Sequence, residues 1–486
     1  MRKYPLLFAL LLLSGCSRDT FNNAFNPYSL APTSSSATWS AVDGNHLISS
    51  KYCQTILPDT FTSEALSLAE LLDIGLQNNP TTKQTWAEAR AAAGSYGQSL
   101  STYYPNIQFN GTYTRMRYSS FQFTDTGAVV MSYQTSVTPD INVTYTLFDF
   151  GTRSSAAEIA REALYYADLT HNQQIQAVLQ MILNDYYNYL YQKSLLHSYE
   201  INLKNAQATL DAANQKFALG LVALGDVASA RTQLLQSKIN LTSQKQVVEN
   251  AFAQLSVDLG LPADVPFKVQ PMPEQIIADP LLESVETLVK QAQNQRQDLL
   301  AAEANIRSKE AALKNAQSKV LPTVNSSFDI GHYWFNQGLQ EKGPHWTAVL
   351  SLNFPIFNGF YYKNGIRVAK ANLEQAHAQM LQTELGVVQN VATAHLGVKT
   401  AAQNLSFSQE YLQAAQLEFD IALKSYKAGT ATLLDVLSAQ ASLADARARK
   451  ANAEYQWFSA LAAIAYATGA LCTPPHTESS CEKQLL

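Results

Sequence analysis

Charge and cysteine are both scarce in this chain. Asp, Glu, Lys and Arg make up 15% of its 486 residues, against roughly 25% in an ordinary soluble domain. The 39 acidic residues outnumber the 34 basic ones, for a net charge of −5, so the basic surface that nucleic-acid binding needs is missing. Four cysteines are present and none falls in a Cys-x-x-Cys pair, which removes the usual thiol spacing of a redox or zinc site. His-Glu-x-x-His, Gly-x-Ser-x-Gly and the phosphate loop are all missing. The eight histidines are scattered, and His171 and His395 fall inside helical patterns, where packing or surface roles suffice. No catalytic residue, metal site or cofactor is expected, and the chain does not read as an enzyme.

What is present begins at the N-terminus. Arg2 and Lys3 precede an apolar run from Leu6 to Leu13, followed by Leu13-Ser14-Gly15-Cys16. The run is too short to span a bilayer and reads as the core of a secretory signal. The L-S-G-C ending resembles a bacterial lipoprotein box, which implies cleavage before Cys16 and acylation of that residue; several acyl chains anchor stably where one does not. Ser17 in place of Asp implies sorting to the outer membrane. Cys53, Cys472 and Cys481 remain, in an oxidising compartment that allows at most one bridge within the chain. Either a Cys472–Cys481 tail loop or a link from Cys53 to one of them fits.

The chain is too long for one small core, and it is written twice. GLVALGDV starts at Gly220 and GTATLLDV at Gly429, an offset of 209. The same offset relates Leu147-Phe148 to Ile356-Phe357, Leu164 to Leu373, Phe217 to Tyr426, Leu234 to Leu443 and Gly260 to Gly469. Upstream, Tyr104-Pro105 answers Leu321-Pro322 with a larger offset, which places a longer loop in the first copy. Two copies of one large unit indicate duplication rather than a short solenoid repeat.

Each unit reads in the same order. An Ala- and Gln-rich helix, Thr81 to Tyr103 or Asp298 to Leu321, stops at a proline. Alternation follows: Ile107, Phe109 and Tyr113; Val137, Ile141, Val143 and Tyr145; Val324, Phe328, Ile330 and Trp334; Trp346, Ala348, Leu350 and Leu352, each set interleaved with polar residues. Period two predicts strands, and their length suits tilted transmembrane strands with aromatics such as Trp334, Trp346 and Phe357 near their ends. Then the period becomes helical. Ile366, Ala369, Leu373, Ala376 and Met380 form one seam, and Leu381, Leu385, Val388 and Ala392 a second, so the helix has neighbours on both sides. The helical runs, Thr152 to Phe217 and Tyr361 to Tyr426, would each be roughly 100 Å long at ~1.5 Å per residue. Each ends at a glycine suited to a left-handed cap, Gly220 or Gly429. Helices then return to about Gly260 and Gly469, with Asp226 and Asp435 in their first turns, where a carboxylate is favourable.

Two hairpins give four strands, too few to close a barrel, and open edges do not occur in lipid. Several chains must therefore share one barrel, and the second helix seams likewise require sister copies. A lipid-anchored periplasmic coiled-coil scaffold or adaptor without a pore would share the signal and long helices but would carry water-soluble hairpins.

The order of signal, helix, hairpin and helical hairpin, repeated once, with L-F-D-F-G and I-F-N-G at the strand-to-helix joints and Y-K-A-G followed by L-L-D-V-L-S-A-Q at the tip, resembles the outer membrane efflux protein (TolC) family over about residues 62–470. The resemblance implies an α+β membrane protein. Three chains would form a twelve-stranded outer-membrane β-barrel, four strands per chain, continued by a long α-helical barrel across the periplasm. It implies a passive, gated exit duct of a tripartite efflux pump or type I secretion system. Its partners would be a homotrimer, a periplasmic adaptor (membrane fusion) protein, an inner-membrane transporter and outer-membrane lipid. Carried over position by position, Gly220, Leu221, Val222, Ala223, Gly429, Thr430 and Ala431 would dock the adaptor. Asp435 would ring the aperture, where repulsion among its three copies would raise its carboxyl or attract a cation, and Leu434 would form an apolar constriction or pack between helices. The family's second acidic position is Ser438 here, so the mouth carries fewer charges. The family's Asp–Tyr latch maps to Asp226 and Tyr426. Its Thr–Arg link maps to Gly225 and Ala431 and is absent, which implies an aperture more easily opened.

The resulting division is a lipoprotein signal at 1–15, an anchor and extended linker at 16–61, repeat one at 62–262, an inter-repeat linker at 263–280, repeat two at 281–470 and an irregular tail at 471–486. Short helices near Leu66–Gln77 and 281–294 would girdle the tunnel.

Overall fold

The computed structural model describes residues 25–32, 34–37, 39, 65–121, 129–263, 265–271, 283–336 and 340–472. The signal, Cys16, Cys53 and Cys481 lie outside them, and so does the question of disulfide pairing. Contacts divide the chain into two units. One holds residues up to Ala31, Ala89–Ala167 and Ala302–Met380; the other holds Pro32–Glu88, Asp168–Ala301 and the chain from Leu381 onward.

The first unit is built on one antiparallel sheet. Its strands are β2 (Asn106–Phe121), β3 (Val129–Phe148), β5 (Thr323–Asn336) and β6 (Gln340–Asn353), in the order β2-β3-β5-β6. The register aligns one apolar face across all four strands. Ile107 lies opposite Val143, Val143 opposite Phe328 and Phe328 opposite Ala348. The next row is Phe109, Ile141, Ile330 and Trp346. Most of these side chains are exposed, Phe109 at 73% and Trp346 at 70%. The opposite face is polar: Asn110 donates to Asp140 at 3.0 Å, and Asp329 pairs with His345 at 3.1 Å. The expected longer loop in the first copy is a shared difference. Its strands are 16 and 20 residues long against 14 and 14, and more chain separates Phe121 from Val129 than Asn336 from Gln340.

Helices α2 (Pro80–Leu100) and α6 (Gln297–Ser318) stop before the prolines that the sequence marks. The strand-to-helix joints turn through left-handed backbone, at Phe150 and Gly151 in one copy and Gly359 and Phe360 in the other. The Asp149 carboxylate accepts from the Gly151 and Arg153 amides at 3.3 and 2.7 Å and from Arg153 Nε at 3.1 Å. It thereby satisfies donors that the start of α3 (Thr152–Ala218) leaves open. This is the physical reason for the L-F-D-F-G joint. Nearby, buried Glu162 of α3 accepts from Arg307 of α6 at 2.7 Å.

The second unit holds the return helices α4 (Leu224–Asp258) and α8 (Leu433–Thr468), the lower part of α7 (Tyr361–Ala428), and the short helices α1 (Leu68–Asn78) and α5 (Val285–Gln295). Its largest core joins Leu71 and Ile74 of α1 to Ile182 and Tyr186 of α3 and Leu255 and Leu259 of α4. The α4 helix ends at Gly260, with φ 74°, where a Cβ would meet the Asn78 backbone at 2.5 Å; only glycine fits. A two-residue parallel pairing, β1 (Ala65–Leu66) with β4 (Lys268–Val269), ties the repeat's ends. Of the two seams on α7, Ala369 and Ala376 are buried, whereas Leu381, Leu385 and Val388 are exposed.

The segment expected as an extended linker is attached where it is described. Residues Pro27–Leu30 form a 3-10 turn, and Ala31 packs with Ala93 and Leu164. In the second unit Trp86 Nε1 donates to the Pro32 carbonyl at 2.8 Å. The Trp39 backbone exchanges two bonds with the Asn172 side chain, at 2.7 and 2.6 Å. Burial of so many backbone partners is what converts a polar segment into a strap.

Candidate functional site

The two repeated loops come together in the second unit. Behind them lies one shared core of Ala212, Ala213 and Ala230 from the first hairpin with Ala415, Phe419, Tyr426, Leu433, Val436, Ala439 and Leu443 from the second. Alanine at these contacts lets the helices approach closely, which suits coiled-coil packing. The recurrence in sequence is therefore an adjacency in space.

Each tip is closed by a left-handed glycine, Gly220 with φ 71° and Gly429 with φ 84°. At the first, the Gly220 amide donates to the Phe217 carbonyl and the Leu221 amide to the Lys216 carbonyl, both at 2.9 Å. At the second, Gly429 donates to Tyr426 at 3.1 Å and Thr430 to Ser425 at 3.0 Å. This is the expected helix-ending arrangement. Beyond it the tips differ. Leu219, Leu221 and Leu224 are exposed, Val222 is half-buried, and Ala223 is an N-cap with no side-chain bond. The second loop, Gly429-Thr430-Ala431-Thr432, carries no large apolar residue, and Thr432 builds a full capping box with Asp435.

That box changes the reading of Asp435. Its carboxylate accepts from the Thr432 amide at 2.8 Å and the Thr432 hydroxyl at 2.7 Å, and its own amide donates to Thr432 Oγ1 at 3.3 Å. These bonds favour the ionised form, so within one chain the Asp435 carboxyl is held below its ordinary value. Leu434 is 75% exposed and Ser438 is exposed, so neither is packed inside this chain.

The latch also differs from expectation. Tyr426 is 1% exposed, and its hydroxyl has no hydrogen-bond partner. Burial first, and then the charge of half-buried Asp226, push its pKa up. The two residues face the same region, but no hydrogen bond joins them. Instead, Lys216 Nζ lies 4.2 Å from the centre of the Tyr426 ring. Sequence reasoning missed Lys216, whose only linear signal is a basic residue in the last turn of α3. It also missed Thr432, although Thr-x-x-Asp before an apolar run was legible as a cap.

Other buried groups lie away from the tips. Asp168 is fully buried with both carboxylate oxygens unpartnered, and burial pushes its pKa up to about 9. His171, one turn on, is held down to about 4 by burial, and its Nδ1 meets the Thr85 hydroxyl at 2.9 Å. Among the described residues no group of three or more His, Cys, Asp or Glu is placed to hold a metal ion. No described helix is long and apolar enough to cross a membrane; the apolar surface that could do so is the sheet.

The family model for outer membrane efflux proteins matches residues 71–261 and 288–470. Protein CyaE of Bordetella pertussis is 25% identical over 390 residues, covering 79% of this chain and 80% of that one. Outer membrane protein TolC of Salmonella enteritidis is 25% identical over 420 residues, covering 84% and 83%. Among solved structures, VceC of Vibrio cholerae superposes with a TM-score of 0.72 at 20% identity, over 83% of this chain and 96% of that chain. The CmeC channel of Campylobacter jejuni does so with a TM-score of 0.73 at 18% identity, over 94% and 98%.

Proposed function

The chain belongs to the outer membrane efflux protein family, and from that premise we propose that it works as a homotrimeric, passive exit duct from periplasm to exterior. One observation carries this reading: among the described residues, a four-stranded sheet whose exposed apolar side chains align on one face and whose two edges are unpaired. The strands β2 and β6 run in opposite directions, because each of the three pairings between them is antiparallel. A β6 edge can therefore meet the β2 edge of a second copy antiparallel, and head-to-tail repetition closes a ring with no new kind of pairing. Closure turns the apolar face to lipid and the polar face, with Asp140, Asp329 and His345, to the lumen. The exposed seam of Leu381, Leu385 and Val388 on α7 and the exposed Leu235 and Ile239 on α4 supply the matching contact between neighbouring helices.

The exposed tips are the surface for a periplasmic adaptor, which would link the duct to an inner-membrane transporter. Asp435 and Leu434 would border the mouth, and Cys16 would carry the acyl chains. A scaffold without a pore has no use for a long apolar sheet face. Two measurements test the reading on the full chain purified in detergent. Light scattering should give a trimer, and planar bilayers should show stepwise ion conductance. A folded monomer stable in detergent-free buffer, or bilayers that stay silent after insertion, refutes it.

A further inference from the structure

We propose that Lys216 is the clamp that holds the two tips together and so resists opening of the mouth. The proposal rests on the duct reading. Lys216 lies near the end of α3 and Tyr426 near the end of α7, and the ammonium sits 4.2 Å from the ring centre. Each residue is also the anchor of its own tip: the Lys216 carbonyl takes the Leu221 amide at 2.9 Å, and the Tyr426 carbonyl takes the Gly429 amide at 3.1 Å. The contact thus joins the caps of the two hairpins, so a motion that parts the two tips must break it. Farther up, the hairpins are joined by Arg447 to Asn202 at 2.8 Å and by Thr209 to Gln440 at 3.5 Å.

The chemistry is specific to the ring. The Tyr426 hydroxyl has no partner, and among the described residues no ion pair involves Lys216. What Tyr426 offers is its π face, held in a buried site where a cation–π contact is at its strongest. A last-turn lysine also steadies its own helix dipole. Lys427 is the basic residue in the last turn of α7 and is exposed, so it serves as the control for that weaker role.

The test compares variants of the full chain in planar bilayers. Lys216→Met should raise the ratio of open to closed states by about three- to thirty-fold per chain. Lys216→Arg should restore closure, and Lys427→Met should leave it as in the parent. In a Tyr426→Leu background, Lys216→Met should add nothing. Hydrogen exchange at the Leu221 and Gly429 amides, which needs no pore, should quicken in Lys216→Met alone. Parent-like exchange and conductance in Lys216→Met, an equal effect from Lys427→Met, or a full Lys216→Met effect without the ring each overturns the clamp. If parent and Lys216→Met both never conduct while Lys216→Met still quickens exchange at the tips, the duct is refuted and only the contact between the tips stands.

Discussion

Asp168→Asn should remove the weakening of the second unit that Asp168 causes as pH rises. Asp168 is fully buried, both of its oxygens lack partners, and its carboxyl is raised from 3.8 to about 9. In the unfolded chain it ionises near its ordinary value, so between those limits the folded chain holds one proton more than the unfolded one. Stability contributed by this group is therefore full below the ordinary value and is lost as pH rises toward 9, at about 1.4 kcal/mol per pH unit. Asparagine has nearly the same shape and does not titrate. The variant's stability minus the parent's should climb by about 1.4 kcal/mol for each unit from pH 6 to pH 8.5, because all other titrations cancel in the difference. His171 acts in the opposite sense: its lowered pKa supports the fold above its ordinary value and withdraws that support as pH falls toward 4. The assay is denaturant unfolding of parent and variant in the same detergent at half-unit pH steps. A difference that stays flat across this range refutes the buried neutral acid.

On the sheet, Ile330→Arg should abolish assembly into the outer membrane, since a charge on the lipid face costs about 2–4 kcal/mol near mid-bilayer. Asp329→Asn, one residue away on the polar face, should assemble normally; gel-stable oligomer in membrane fractions reads both, and equal yields sink the assignment of faces. Thr432→Ala removes the cap of α8 at a cost of about 1 kcal/mol, and faster exchange of the first-turn amides of α8 reports it. Cys16→Ala should eliminate labelling by radioactive palmitate while leaving the trimer intact; persistent labelling rules out that anchor.

The architecture was legible because both of its periods are long and clean. Ile107, Phe109, Val143, Phe328 and Ile330 alternate over strands of 14 to 20 residues, and Gly220, Gly260, Gly429 and Gly469 mark helix ends that need left-handed backbone. The docked N-terminal strap was not legible. Its polar composition matches a linker, and its order comes from partners far along the chain, Trp86 and Asn172. The same limit applies to buried Asp168 and His171, which carry a helical spacing but no sign of which side is covered.

The tips show most clearly where sequence stops. Their likeness, Gly then Asp-Val six and seven positions on, comes from a shared glycine cap and an acid in the first turn that follows, and both devices are local. Their difference decides what each can do, and that lies between hairpins. Leu219, Leu221 and Leu224 give the first tip an apolar, uncapped end, while Thr432 commits Asp435 of the second to its own backbone. Asp226 of the first tip, the acid expected in the latch, makes no hydrogen bond to Tyr426, whose hydroxyl has no partner. The link across the hairpins then falls to a lysine and the face of a buried tyrosine ring, a pairing without any fixed spacing along the chain. A duplicated loop can thus keep its cap in both copies while the contact that joins them is written in unlike residues.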